Sequence, residues 1–204
     1  MKKKIFLLGD SISLHYNPIL IPMTSDLYEW QTKEGRAEAM KDLDKPISAN
    51  GGHSGAVLSF LRMEEELGNL NYDYLLLNCG LHDIAFDPGN PDHRVPETCY
   101  RENLEAVVDM MKAHGIKVIW VTTTPVDDER HNARASFKRY NRDVLRYNAI
   151  AAEIMQKNAI PTIDLYAFTD ALEGEKFVDH VHFLVEVREK HAAFLAKELE
   201  KIID

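Results

Sequence analysis

Cysteine is scarce in this sequence, and so are cationic excess and long apolar runs. Two cysteines, Cys79 and Cys99, stand in 204 residues. They match no metal-ligand spacing and cannot form a disulfide framework for a chain this long. Cys79 sits inside an apolar run and reads as a small core residue. Lys and Arg number 24 against 33 Asp and Glu, a formal charge of -9. An acidic surface repels phosphate backbones and anionic lipid heads, so neither nucleic acid nor a membrane surface is expected as a partner. Lys138, Arg139, Arg142 and Arg146 are the best candidate for a local basic patch. Their helical spacing reads as a solvated helix face. No segment approaches the roughly 20 apolar residues of a membrane span. The apolar stretch Ile5–Leu8 is shorter than the roughly 7–15 residues of a signal-peptide core, so a cytoplasmic location is expected. Repeats, low-complexity tracts and Ser/Gly linkers are also missing, and one domain over 1–204 suffices.

What is present is alternation. Apolar runs at Lys4–Leu8, Tyr74–Asn78, Lys117–Thr123 and Thr162–Leu165 read as strands covered on both faces, with Pro46–Ala49 a shorter candidate. Amphipathic segments follow at 56–66, 100–114, 138–158 and 185–203. Gly115 stands where a helix would stop. The β-α-β order predicts a doubly wound α/β sheet whose strand C-termini share one edge, where ligands bind. Residues 13–45 and 84–99 do not fit the alternation. They are expected to be an insert and a Pro-marked loop (Pro88, Pro91, Pro96) hanging over that edge.

Four short motifs fall at that edge. Gly9-Asp10-Ser11 ends the first strand and precedes a helix, so Ser11 projects beside free N–H groups and a positive helix end. The triplet alone is more often a helix cap than a nucleophile. Asp179-His180-Val181-His182 follows the last strand. A serine hydroxyl needs a base, and the base needs an acid to fix its tautomer; Asp179 and His182 are spaced to lie side by side on one turn. His180 and His182 lack a third ligand at metal spacing, and no metal or other cofactor is expected. Asn50-Gly51-Gly52-His53-Ser54-Gly55 opens a helix and offers N–H donors, but fails as a dinucleotide fingerprint. Gly80-Leu81-His82-Asp83 ends the second apolar run and is otherwise an ordinary turn.

Taken together and in this order, these blocks resemble the SGNH (GDSL-type) hydrolase family. The likeness runs over nearly the whole chain, including Tyr147-Asn148 and Ile163-Asp164-Leu165. It implies a flavodoxin-like α/β/α sandwich with a five-stranded parallel sheet in the order 2-1-3-4-5. It also implies a serine esterase with Ser11 as nucleophile, His182 as general base and Asp179 as its orienting acid. The oxyanion donors would be the N–H groups of Ser11 and Gly55 plus a side chain of the third block. There the usual motif has Asn and this chain has His82, whose neutral imidazole can still donate one N–H. The family covers acetylesterases of polysaccharides and sugars, lysophospholipases, thioesterases and lipases, and an acyltransferase using the same triad is the alternative. The expected substrate is a small or carbohydrate ester carrying a short acyl group, since no acyl-binding apolar segment or lipid anchor is evident. His15, Tyr16, Tyr28 and Trp30, with Phe86, His93 and Arg94, are aromatic and polar residues that either line the crevice or pack the loops down.

Overall fold

In the computed structural model, which describes residues 1–87, 89–90 and 92–203, the alternation resolves into one parallel sheet between two helical layers. In chain order the elements are β1 (Lys3–Leu8), α1 (Ser11–Thr24), β2 (Tyr28–Thr32), α2 (Arg36–Ala39), α3 (Ser54–Glu66), β3 (Tyr74–Leu77) and α4 (Glu97–Ala113). Then come β4 (Lys117–Val121), α5 (Asp128–Arg134), α6 (Asn141–Lys157), β5 (Thr162–Ile163), α7 (Leu165–Asp170) and α8 (Val185–Ile203). The strand order is β2-β1-β3-β4-β5, with every pairing parallel. Leu7 lies opposite Leu76, and Leu76 opposite Ile119. These strands are buried on both faces, which is why they read as continuous apolar runs. α1 and α7 pack with α8, while α4 packs with both α3 and α6.

Two expectations change. Pro46–Ala49 is not a strand: Pro46 lacks an N–H for a ladder, and Ser48 has a left-handed φ of 53°. The second strand by position is β2, at the sheet edge. Its Glu29 and Gln31 point away from the core, so it carries no apolar run. Residues 13–45 are therefore not an insert but mostly regular structure: the rest of α1, then β2 and α2. Pro18 and Pro22 lie inside α1, and Pro18 cannot donate to the carbonyl of Leu14. Arg36 from α2 supplies that bond instead, with Nε at 3.3 Å and Nη2 at 3.1 Å from the Leu14 oxygen. Pro88 and Pro91, two of the residues expected to mark the later loop, lie outside the described residues. α4 begins at Glu97 and is closed by Gly115 at φ 69°. Cys79 is fully buried, and both cysteines are free. Among the described residues no helix is long and apolar enough to cross a membrane.

Candidate functional site

Two of the four motifs stand at the C-termini of β1 and β3, while the Asn50–Gly55 loop leads into α3 and the Asp179–His182 turn lies between α7 and α8. β1 ends at Leu8, and Asp10 caps α1: its Oδ1 accepts from the Ile12 N–H at 2.9 Å. Ser11 is the first residue of α1, so the cap and the projecting serine are neighbours rather than alternatives. Asp10 is fully buried. Burial raises its pKa against the lowering effect of the Ile12 N–H and the charges of Arg139 and His182.

His182 Nε2 lies 2.8 Å from Ser11 Oγ, and its Nδ1 lies 2.7 Å from Asp179 Oδ2. The three side chains thus form one hydrogen-bonded chain from α1 to the turn before α8. The Asp179 turn is locked by its other oxygen, Oδ1, which accepts from the N–H groups of Val181 at 2.9 Å and His182 at 2.8 Å. Burial works to raise the Asp179 pKa, but the His182 hydrogen bond and charge and these two N–H groups outweigh it. The carboxyl is held well below the usual carboxylate range. His15 packs edge-on against His182, ring centroids 5.1 Å apart. Burial first, then the His182 charge, lowers its pKa to about 3, so it is a neutral wall.

Gly51 donates its N–H to the carbonyl of Gly9 at 2.9 Å, which docks the Asn50–Gly55 loop on the turn that carries Ser11. A Cβ on Gly51 would sit 2.9 Å from that same oxygen, so only glycine permits the approach. His53 caps α3 with Nδ1 accepting from Ala56 N–H at 3.2 Å, and Asp83 accepts from Ser54 N–H at 2.9 Å. The Gly55 N–H has no such partner among the described residues, nor has that of Ser11. Both are open donors at helix N-termini. Asp83 therefore ties the third block to the loop of the second. It is fully buried, and burial pushes its pKa up to about 7 in spite of the Ser54 bonds. Gly80, at the head of the third block, has φ 152°; a Cβ there would lie 2.2 Å from Thr123 Oγ1.

His82 is 2% exposed, and its Nδ1 is sealed without a hydrogen bond. Burial, then the charge of Arg139, holds its pKa well below the usual histidine value, so the ring is neutral. His180 does not join Ser11. It shares a hydrogen with His131, Nδ1 to Nδ1 at 2.9 Å, and reaches Asp44 Oδ2 at 3.4 Å. Among the described residues no group of three or more His, Cys, Asp or Glu is arranged to hold a metal ion.

The basic cluster needs correction. Arg142 and Arg146 are solvated, but Arg139 precedes α6 and is 2% exposed, with Nε donating to the Leu81 carbonyl at 2.6 Å. Helical spacing concealed this, because the helix begins only at Asn141. Of the candidate crevice residues, His15 touches His182. Tyr16 and Tyr28 are core, Trp30 donates to Thr24 Oγ1 at 3.0 Å, Phe86 and His93 pack against Tyr140 and Tyr147, and Arg94 lies over Phe137. Asn148, beside Tyr147, holds both backbone groups of Thr123 through its amide, and Asp164 caps α7. A cavity of about 290 Å³ opens beside α1 around Asn17 and Lys33, and one of about 710 Å³ at the opposite end of the sheet around Lys117 and Pro161. Neither is lined by Ser11, Asp179 or His182.

Residues 7–186 match the family model described as the GDSL-like Lipase/Acylhydrolase family. The chain belongs to that family. It is accordingly an ester hydrolase by kind, and its sheet order is that of the SGNH fold. Among solved structures it is similar to the lipase/acylhydrolase from Enterococcus faecalis, at 20% identity and TM-score 0.71, covering 98% of this chain and 96% of that one. It is similar also to an acetyl xylan esterase, at 18% identity and TM-score 0.66, covering 96% and 99%. A carbohydrate acetylesterase from Sinorhizobium meliloti matches at 13% identity and TM-score 0.62, covering 98% and 100%. At these identities the structures speak for the fold. A search of curated proteins found no match.

Proposed function

We propose that this family member hydrolyses carboxylic esters through an acyl-enzyme on Ser11, and that its substrates carry a short acyl group, acetyl above all, on a carbohydrate or similar small alcohol. The observation that carries the mechanism is the unbroken Ser11–His182–Asp179 hydrogen-bond chain, at 2.8 and 2.7 Å. In this reading Ser11 Oγ attacks the ester carbonyl while His182 Nε2 takes its proton. Asp179, ionised and fixed by two N–H groups, steadies the imidazolium that forms. The oxyanion is met by the N–H groups of Ser11 and Gly55, both open at helix starts, and by one N–H of the neutral His82 ring. His182 then protonates the departing alcohol, and water repeats the attack on the acyl-serine.

A short acyl group is favoured by the sequence, in which no long apolar acyl-binding segment is evident. A carbohydrate alcohol is supported, as an analogy of fold, by the acetyl xylan esterase and carbohydrate acetylesterase among the similar structures. The test is a series of nitrophenyl esters from acetyl to long acyl chains, with Ser11→Ala as control. The expected result is a steep preference for acetyl and a loss of about four orders of magnitude or more in Ser11→Ala. Retained hydrolysis by Ser11→Ala overturns the mechanism, and a preference for long chains moves the substrate to a lipid or thioester. Product analysis with added alcohol separates hydrolysis from acyl transfer.

A further inference from the structure

Beside α1 the fold leaves a cavity of about 290 Å³, at the small end of the range of ligand pockets, roughly 300–1,000 Å³. Its floor is apolar: Leu7, Leu14 and Ala49 are all buried there, and Ile21 adds to that surface. Pro18, Pro22 and Arg36 also line it and are exposed, so the space opens to solvent. Ser11, Asp179 and His182 take no part in it.

Two cations line this space, Lys33 just after β2 and Arg36 in α2. Among the described residues no carboxylate lines it, although the chain carries 33 Asp and Glu against 24 Lys and Arg. Glu38, on the same short helix as Arg36, pairs with Lys41 instead. Arg36 uses Nε and Nη2 on the Leu14 carbonyl, and Lys33 uses one N–H on the Asn50 carbonyl at 3.3 Å. Nη1 of Arg36 and the other N–H groups of Lys33 are left over. Lys33 is half-buried, and burial lowers its pKa with no carboxylate to offset it. Asn17, 6% exposed, adds a third donor. Its amide oxygen is sealed in the protein, whereas its NH2 is neither sealed nor hydrogen-bonded among the described residues. Two like charges on one partly apolar cavity repel each other, and a bound anion removes that cost.

The lining selects the ligand. Donors without a carboxylate among them call for an anion, the apolar floor for a hydrocarbon body, and the volume for a small molecule. Inorganic phosphate meets only the first demand, and a neutral alcohol only the second. We propose that the cavity beside α1 binds a small organic carboxylate, with its charge on Lys33 and Arg36 and its hydrocarbon chain against Leu14 and Ile21. This site is separate from Ser11 and does not depend on the ester-hydrolase reading.

Calorimetry with hexanoate on the wild-type chain should show saturable binding with a Kd of about a millimolar or tighter. Hexanamide, which lacks the charge, and inorganic phosphate, which lacks the chain, should each bind at least about tenfold more weakly. Lys33→Met removes a cation, and Ile21→Glu brings a carboxylate to the cavity. Both positions are partly exposed, so both variants should fold. Each is expected to weaken hexanoate binding about tenfold or more. Ser11→Ala should bind hexanoate as wild type does, and hexanoate should not compete with nitrophenyl acetate. Absent hexanoate binding, equal binding of hexanamide or phosphate, or unchanged affinity in both variants overturns the site. Competitive inhibition of ester hydrolysis places the carboxylate at Ser11 and overturns it too. A chain that hydrolyses no ester contradicts the proposed function alone, while calorimetry still decides the carboxylate site.

Discussion

Position 82 carries an imidazole that is 2% exposed, neutral, and without a hydrogen bond at Nδ1. A neutral ring has one N–H to give, and it stands where the family motif has an amide. If that N–H meets the oxyanion, His82→Ala should lower kcat by about 10²–10³ with KM nearly unchanged, the cost of one missing donor. His82→Asn should keep kcat within about tenfold of wild type, because it restores an N–H donor at the same rim. Steady-state kinetics on nitrophenyl acetate checks both. A wild-type rate in His82→Ala removes the residue from the oxyanion role. The motif His82 sits in was legible in the sequence; the neutrality of its ring was not, since it depends on burial and on the charge of Arg139, 57 positions further on.

At the scale of elements, α1 shows how a helix tolerates two prolines. The bond that Pro18 cannot make is replaced from outside by Arg36, with two nitrogens on the Leu14 carbonyl. Arg36→Leu leaves that oxygen without these donors and should cost about 1–3 kcal/mol, read as a lower urea midpoint. A variant as stable as wild type would mean that water serves the carbonyl equally well. The strands buried on both faces were readable from apolar runs, and α8 and the stop at Gly115 from periodicity and glycine. β2 was not, because an edge strand half in water keeps polar residues such as Glu29 and Gln31. α5 and α7 were missed because each is short and set by a local aspartate cap, Asp127 or Asp164, rather than by a stripe.

Across the whole molecule, several histidines are folded in neutral form. Burial lowers the pKa of His15 and His131 to about 3 and of His191 to about 4, against an ordinary value of 6.5; His82 is shifted the same way. The unfolded chain takes up these protons first. Their contribution to stability is therefore present above about pH 6.5 and is lost as pH falls towards the folded values. Asp83 works in the opposite sense: its pKa rises from 3.8 to about 7, so the folded form binds the proton more tightly and stability declines through that window as pH rises. Burial also lowers His53 and raises Asp10, so five lowered histidines stand against two raised carboxyls. The urea midpoint should be lower near about pH 5 than near about pH 7, with net proton uptake on unfolding. An equal or higher midpoint at the acid value contradicts this balance.

The sequence by itself determined the parallel α/β sheet and the edge where its strands end, and its resemblance to the family named Ser11, Asp179 and His182 as candidates there. Those follow from signals local to a few positions: a run buried on both faces, a turn after it, an acid and a base on one turn. Only the tertiary structure decided what lies around them. It made Asp83 a cap for the Gly55 loop, and it took Arg139 from an expected surface face into the interior beside His82 and Asp44. Burial and the meeting of distant charges are set by packing, and packing leaves no periodic trace along the chain.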